Sequence, residues 1–348
     1  MNDSMVSVIV TNWNGRRYLE RCLTSIVTQT YKNIEVIVID NNSTDGSAEF
    51  IIKQFPEIIL IRNDKNYGFA KANNIGIKVS RGEYIATINN DTEADPCWIE
   101  NLVNVIRRDP NIGMCASKIL LFNNRNLIDS TGMLIYPDGL PVCRGYLEED
   151  VYNYNKEEEV LLPTACAALY RKDAIINAGF FDDDYFAYCE DGDLGLRIHM
   201  LGYKCIYVPR ARVYHYNSGT FGNDPLLKIY LCERNRLFTV IKCYSFAGLM
   251  LSVYYTFIRY MCYVYGYIRK LGQAKDFCKT KQHGFKIFFI LFKIYGSLLW
   301  NIIKLLKKRY KILRNKRMSY EKIYRLQPSF KINARELTLK RKIYAQRV

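Results

Sequence analysis

Four short stretches of this 348-residue chain carry side chains able to do chemistry together: Asp40, Asn89-Asn90-Asp91, Glu190-Asp191-Gly192-Asp193 and His215. Asp40 closes the apolar run IEVIVID, where its carboxylate can take the imide N–H of uracil or thymine or serve as a turn or helix-capping residue. Asn89-Asn90-Asp91 closes residues 84–92 (YIATINNDT); it reads either as an Asn/Asp turn or as oxygen ligands for a hard divalent cation that in turn holds a diphosphate. Glu190-Asp191-Gly192-Asp193 puts three carboxylates at a helix start, which suits the helix dipole and equally suits a general base that deprotonates an acceptor hydroxyl. His215 closes the short run Val213-Tyr214-His215 and is one of only three histidines. It is a structural imidazole or, if it falls near Asp91, a partner in holding a cation.

These groups need a frame, and the hydropathy pattern supplies one. Val6–Asn12 (VSVIVTN) and Ile34–Asp40 are β-branched runs that end in polar residues, as buried parallel strands do. Helical spacing follows over residues 17–28, 47–55 and 69–79, a third strand falls at 58–61, and a helix follows near 98–107. Strands alternating with helices at these lengths predict a parallel, doubly wound α/β sheet with helices on both faces. Asn12, Asp40 and Asp91 then sit at strand carboxyl ends, the rim where such sheets bind ligands. Trp13, just past the first strand, can stack on a base or pack in the core. Residues 66–73 (NYGFAKAN) bring Gly68 to a helix start, which suits approach of a phosphate. The pattern weakens from 114 to about 160: 114–122 reads as a strand and the acidic residues 148–159 as an exposed loop. Order returns with a strand at 165–170, a helix at 172–178 stopped by Gly179, a helix at 190–201 stopped by Gly202, and short strands at 205–208 and 213–215.

Composition divides the chain. Hydrophobic residues form 49% of it, which excludes global disorder, and the net charge is +16. The charge is uneven: residues 304–317 hold eight Lys and Arg and no acid, a pattern that serves an anionic membrane surface or nucleic acid. No nucleic-acid module accompanies it. Eleven scattered cysteines without C-x-x-C pairs disfavour a zinc site or disulfide framework. The apolar start at residues 6–11 is too short for a signal peptide, so a cytosolic N-terminal half is expected. After about residue 226 the chain turns apolar and basic. Residues 245–267 carry Arg259 at their centre, and 285–306 carry Lys286, Lys293 and Lys304. Either is long enough to span a bilayer, yet a central Arg or Lys would cost about 2.5–3.5 kcal/mol there. Helices lying on the membrane with those charges on one face avoid the cost, and a soluble helical hairpin is the remaining alternative.

Taken in order, SVIVTNWNGRRYLERCLTSIVTQTY, VIDNNSTDGS, RNDKNYGFAKANNIGI, GEYIATINNDTEADPCWI, GFFDDDYFAYCEDGDLGLRIHMLGY and VPRARVYHY resemble a family 2 glycosyltransferase of the GT-A fold, in its bacterial rhamnosyltransferase-like branch. The resemblance runs from about residue 5 to 217. It implies a GT-A catalytic domain over 1–225; the apolar, basic composition of 226–348 makes that region a helical extension expected to associate with the membrane. It implies Asp191, in the Glu190-Asp191 pair, as base, with Asp91 and His215 holding Mg²⁺ or Mn²⁺. Thr11, Trp13, Asn14, Asp40, Asn66, Gly68, Asn73 and Asn90 fall on the nucleotide side. Arg234-Asn235-Arg236 resembles an R-N segment expected to face the diphosphate or lipid head groups. The implied reaction is inverting transfer of a sugar, with rhamnose from dTDP-rhamnose the first candidate and a UDP-sugar the alternative. The acceptor would be a glycan or polyprenyl-linked lipid at the cytoplasmic membrane face, in cell-surface polysaccharide synthesis. Asn89 stands where the metal motif usually has its first acid, which removes one charge from the cation site. A sugar-phosphate nucleotidyltransferase would want a richer glycine loop than Asn12-Trp13-Asn14-Gly15-Arg16 offers. A catalytically inactive scaffold would have no need of Asp91, Asp191 and His215 together. Oligomeric state is not legible.

Overall fold

The structure is a computed structural model that describes residues 4–216, 225–271, 283–326 and 333–339. The chain divides into two compact units, Met1–Met133 with Cys143–Asn223, and Leu134–Val142 with Asp224–Val348.

The first unit is built on a ten-stranded mixed sheet. Strands β1 (Val6–Asn12), β2 (Ile34–Asp40), β3 (Ile59–Arg62) and β4 (Tyr84–Asn89) run parallel in the order β4-β1-β2-β3. Strand β5 (Thr92–Ala94) follows directly on β4, and β6 (Ile112–Leu121) and β7 (Asn124–Ser130) form an antiparallel pair. Strand β11 (Ala167–Arg171) is antiparallel to both β4 and β6 and joins the two halves of the sheet. Strand β12 (Lys204–His215) runs parallel to β6, with β10 (Glu158–Val160) on its outer edge and β5 antiparallel to its end.

The β-branched runs are continuous because both faces of β1 and β2 are covered. On one face Val8, Val10 and Val38 pack with Leu19, Leu23 and Ile26 of α1 (Arg16–Val27) and Leu102 and Ile106 of α4 (Trp98–Ile106). Each such buried aliphatic side chain stabilises by about 1.5–3 kcal/mol. On the other face α3 (Gly68–Val79) comes so close that a Cβ on Gly76 would lie 2.8 Å from Ile9 Cγ2. Helices α2 (Ser47–Gln54), α5 (Lys172–Ala178) and α6 (Glu190–Met200) complete the unit, and α5 ends at Gly179 in the left-handed conformation.

Two expectations change here. The two short strands expected at 205–208 and 213–215 are one strand, β12, interrupted by a register shift between Val208 and Arg212. The acidic segment 148–159 is not simply an exposed loop. Fully buried Lys118 donates to Asp150 Oδ1 and Asn155 Oδ1, both at 2.6 Å, so the segment supplies the partners that a buried ammonium requires. Tyr154 in the same segment is also buried.

The second unit contains helices α7 (Pro225–Cys243), α8 (Phe246–Arg269), α9 (His283–Asn315), α10 (Tyr320–Tyr324) and α11 (Ala334–Leu339). It also takes in residues Leu134–Val142, the turn between β8 (Met133–Ile135) and β9 (Pro141–Cys143). Gly139, at φ +93°, is required at that turn, because a Cβ would fall 2.4 Å from Val240 Cγ2. Asp138 is completely buried. It accepts from Arg259 Nε at 2.6 Å, and Arg259 and Arg236 both bond Glu233. The two arginines hold Glu233 down to about pKa 2 against the opposing effect of burial.

This cluster corrects two expectations. Arg259 does not lie on an interfacial face of its helix but inside the unit, where paired carboxylates replace water. Arg236 faces neither diphosphate nor head groups, being wholly buried against Glu233 and the Asp138 carbonyl, while Arg234 stacks over Tyr230 and Phe238.

Candidate active site

Strand register aligns the polar rim. Asn12 lies opposite Asp40 between β1 and β2, and Thr11 lies opposite Asn89 between β1 and β4. Asn12 Nδ2 donates to Asp40 Oδ1 (2.8 Å), while Asn12 Oδ1 accepts from Asn90 Nδ2 (2.6 Å). Ser43 closes the far side, donating through its hydroxyl to Asp40 Oδ1 (2.6 Å) and through its N–H to Asp40 Oδ2 (3.0 Å). Buried polar groups hold position only when their partners are present. Asn12 therefore ties Asp40 and Asn90 into one network across three strands. Asn14, exposed and left-handed at φ 51°, adds the β2–α2 loop by accepting from the Thr44 N–H (2.8 Å). Trp13 and Thr11 are half-buried beside it.

The segment from Asn66 to Asn73 behaves differently. Asn66 Oδ1 accepts from the Gly68 N–H (2.8 Å), a local turn bond, and Asn73 Nδ2 donates back one turn to the Phe69 carbonyl (2.9 Å). A Cβ on Gly68 would lie 2.4 Å from the carbonyl oxygen of Phe186, which accepts from the N–H groups of Phe69 (2.6 Å) and Ala70 (3.3 Å). The start of α3, expected to receive a phosphate, is thus filled by a carbonyl of the chain itself. Helix N-termini take any such acceptor, and here the acceptor is internal.

At the other side of β4, the antiparallel pairing of β5 with β12 sets His215 opposite Thr92, one residue past Asp91. The Tyr216 N–H donates to the Asp91 carbonyl (3.0 Å), and His215 Nε2 lies 3.2 Å from Asp91 Oδ1. The other imidazole nitrogen donates to Asp129 Oδ2 on β7 at 2.8 Å. Burial disfavours the imidazolium, but Cys166, Asp129 and Asp91 outweigh it and hold the His215 pKa well above its usual value. Asp129 is a site residue that sequence reasoning missed. Its one signal was an acid inside the apolar stretch NLIDSTG.

These residues fit a divalent cation in their donor chemistry. Asp91 Oδ1 is buried and makes no hydrogen bond of good geometry among the described residues. The Asp129 carboxylate holds the proton on Nδ1, so a cation that displaced the Nε2 proton would meet an imidazole already oriented toward Asp91, the carboxylate–imidazole arrangement of a metal-binding histidine. With one carboxylate and one imidazole the set is sparse. Among the described residues no group of three or more His, Cys, Asp and Glu side chains is arranged to hold a metal ion by itself. Among the described residues a cation there would have two protein ligands, in keeping with Asn89 standing in place of an acid.

The base candidate comes from α6. Glu190, its first residue, is buried, and Asp191 is half-buried, accepting from the Gly192 N–H (2.8 Å) and the Ala165 N–H (3.2 Å). Burial raises the Asp191 pKa; the two N–H groups and Thr164 pull the other way without cancelling it. The approach to α6 is conformationally costly: Phe186, Tyr188 and Cys189 all have positive φ (64°, 69° and 66°). Left-handed backbone at non-glycine residues costs of order 1–3 kcal/mol each and collects at functional sites. Asp193, next on the helix, is engaged by the Arg197 guanidinium (2.7 Å) and supports α6 rather than facing the rim.

Comparison with known proteins agrees with this architecture. A sequence profile described as "Glycosyl transferase family 2" matches residues 7–178. An uncharacterised glycosyltransferase of Haemophilus influenzae is 31% identical over 254 residues, 69% of this chain and 73% of that protein. The glycosyltransferase GlyA of Streptococcus pneumoniae serotype 4 is 30% identical over 60% of this chain, but the match spans only 30% of its own length. The N-acetylglucosaminyl-diphospho-decaprenol L-rhamnosyltransferase of Mycobacterium tuberculosis is 26% identical over 64% of this chain and 79% of its length. Two solved structures share the fold: GalNAc-T7 with UDP, GalNAc and Mn²⁺ (TM-score 0.57, 17% identity, 70% of this chain and 49% of that one), and the mannosyltransferase PcManGT of Pyrobaculum calidifontis with GDP-Man and Mn²⁺ (TM-score 0.52, 16% identity, 90% and 86%).

Proposed function

The chain belongs to glycosyltransferase family 2, and from that premise we propose that it is an inverting transferase acting on a nucleotide sugar. The observation that carries the reading is the 3.2 Å approach of His215 Nε2 to Asp91 Oδ1, on the same strand rim as the Asn12–Asp40–Asn90 network. On this reading the two ends of a nucleoside diphosphate sugar would be met by the fixed Asp40 carboxylate, for a pyrimidine, and by a cation at Asp91 and His215, for the diphosphate.

Asp40, wholly buried as it stands, keeps its place through Asn12 and Ser43 and has one Oδ2 lone pair left for the imide N–H of a pyrimidine. Trp13 and Thr11 flank it. Asp91 and His215 would hold Mg²⁺ or Mn²⁺, whose charge offsets that of the diphosphate leaving group. Asp191 takes the proton from an acceptor hydroxyl as that oxygen bonds to the anomeric carbon. The bond from that carbon to the diphosphate oxygen breaks on the opposite side, and the diphosphate leaves with the electron pair. Configuration inverts in the single displacement. Burial that raises the Asp191 pKa makes it a stronger base in its ionised form.

Rhamnose from dTDP-rhamnose is the first donor to test, supported by the rhamnosyltransferase name of the mycobacterial relative; a UDP-sugar is the alternative. A glycan or polyprenyl-linked acceptor in cell-surface polysaccharide synthesis, at the cytoplasmic membrane face, completes the proposal. A thermal-shift screen of nucleotide sugars with and without Mn²⁺ tests it. A cation-dependent rise in Tm with one pyrimidine nucleotide sugar is expected, and no response to any of them would overturn the reading.

A further inference from the structure

We infer that α8 is the membrane-lying element of this protein, and that the buried Asp138–Arg259–Glu233 clasp keeps its outer face free of charge. Phe246, Met250, Val253, Phe257, Val264 and Ile268 recur three, four or seven positions apart and are all exposed, so they form one stripe along the helix. Phe257 alone is 61% exposed. The helix has 24 residues, so the stripe is about 36 Å long. Its only charged residues are Arg259 and Arg269. Arg259 lies two positions past Phe257, about 200° around the helix. It is 1% exposed and held there by Asp138 and Glu233. A contiguous apolar face of this size marks an interaction surface.

Helix α9 identifies the partner. Phe292, Leu299, Ile303, Leu306 and Tyr310 form a second exposed stripe, and Trp300 beside it is 90% exposed. Lys304, Lys307, Lys311 and Arg314 are exposed along one border of that stripe. No acid occurs anywhere in α9. An apolar face with a basic border matches the boundary between acyl chains and anionic head groups. A second copy of the same chain would bring like charges together.

By length and composition residues 289–315 could cross a bilayer, but α7 packs along that helix. Lys293 lies over Tyr230 (4.7 Å), and Arg309 donates to the carbonyls of Ile241 and Tyr244 (2.7 and 2.6 Å). Helix α7 carries Lys228, Glu233, Arg234, Arg236 and Lys242 and could not follow α9 into hydrocarbon cheaply. The helices therefore lie along the surface. This deepens the membrane location given under Proposed function and uses nothing from the catalytic half, so its failure would leave the transferase reading standing.

The test is flotation of the full chain with phosphatidylcholine vesicles, with and without phosphatidylglycerol, read beside quenching of Trp300 by brominated lipids. The parent should float with anionic vesicles. Phe257→Glu with Val264→Glu should lower the bound fraction about tenfold or more even at low salt, with Tm unchanged because both sites are exposed. Lys304→Glu, Lys307→Glu and Lys311→Glu together should remove the preference for phosphatidylglycerol. Bromine near the head-group end of the acyl chain should quench more than bromine near its tail, and Trp300→Phe should abolish that quenching. The inference is overturned if the parent does not float, if the Phe257/Val264 variant floats like the parent, if tail-end bromine quenches best, or if the same variant only converts a dimer to monomers.

Discussion

A Cβ placed on Gly15 would lie 1.9 Å from Asn90 Nδ2 and 2.6 Å from Asn12 Oδ1. The first loop of the chain is thus closed down directly onto the Asn12–Asn90 hydrogen bond, with no room for a methyl group. Gly15→Ala should push Asn90 off Asn12 and release Asp40 from its partner. A loss of about 1–3 kcal/mol in a urea titration is expected from overpacking, together with weaker binding of a pyrimidine nucleotide by calorimetry. Unchanged nucleotide affinity would show that the network does not position the nucleotide end.

Asp129 makes a second test. It touches the proposed cation only through His215, so it is a positioning residue. Asp129→Asn keeps an acceptor for the Nδ1 proton but removes the charge, and outer-shell changes of this kind typically cost about 10–100-fold in metal affinity. Mn²⁺ binding measured in the presence of nucleotide should weaken by that order, while nucleotide binding in EDTA should not change. Asp91→Ala should abolish the Mn²⁺-dependent increment of nucleotide affinity altogether. If calorimetry shows the increment intact in Asp91→Ala, the cation is held elsewhere.

These residues show where the sequence was readable. The ends of β1, β2 and β4 were legible because each is an apolar run that stops in Asn or Asp, so Asn12, Asp40 and Asp91 fell on one rim without any knowledge of pairing. The nearness of His215 to Asp91 was only a possibility in the sequence, because it depends on β5 turning back antiparallel along β12. Asp129 was invisible for a related reason: β7 begins with exposed Asn124-Arg125-Asn126 and pairs with β6 through two register shifts, so its alternation is broken. Arg259 was misplaced because its carboxylate partners, Asp138 and Glu233, are 121 and 26 positions away. A helix pattern reveals where an arginine points relative to its own helix, not what waits to neutralise it. Lys118 and Asp150 repeat the lesson at shorter range.

Asp191 is tested by pH as well as by substitution. Asp191→Asn should lower turnover by about 10²–10⁴-fold, the usual range for a general base, with donor binding retained because Asp191 lies outside the nucleotide network. Since burial raises its pKa, the acid limb of kcat/KM should fall at a pH above the ordinary carboxylate range. The sign is fixed: the base works only when ionised, so activity rises with pH through that pKa. An acid limb at or below the usual carboxylate value, or near-normal turnover by the Asn variant, would place the base elsewhere.

The buried clasp in the helical unit makes a last prediction, about stability. Glu233 has a folded pKa of about 2 against an ordinary value of 4.5, so the folded state binds its proton less readily than the unfolded state does. Its contribution is fully present above about pH 4.5 and is lost as pH falls toward 2. A difference of this size corresponds to roughly 3 kcal/mol. Glu233→Gln should therefore destabilise the protein at neutral pH by about that amount or somewhat more, because Arg236 and Arg259 would remain buried with one carboxylate between them. The same variant should show a flatter stability profile between pH 4.5 and 2 than the parent. Urea unfolding across that range distinguishes the outcomes: parallel profiles would mean that Glu233 is not the group whose protonation loosens the clasp.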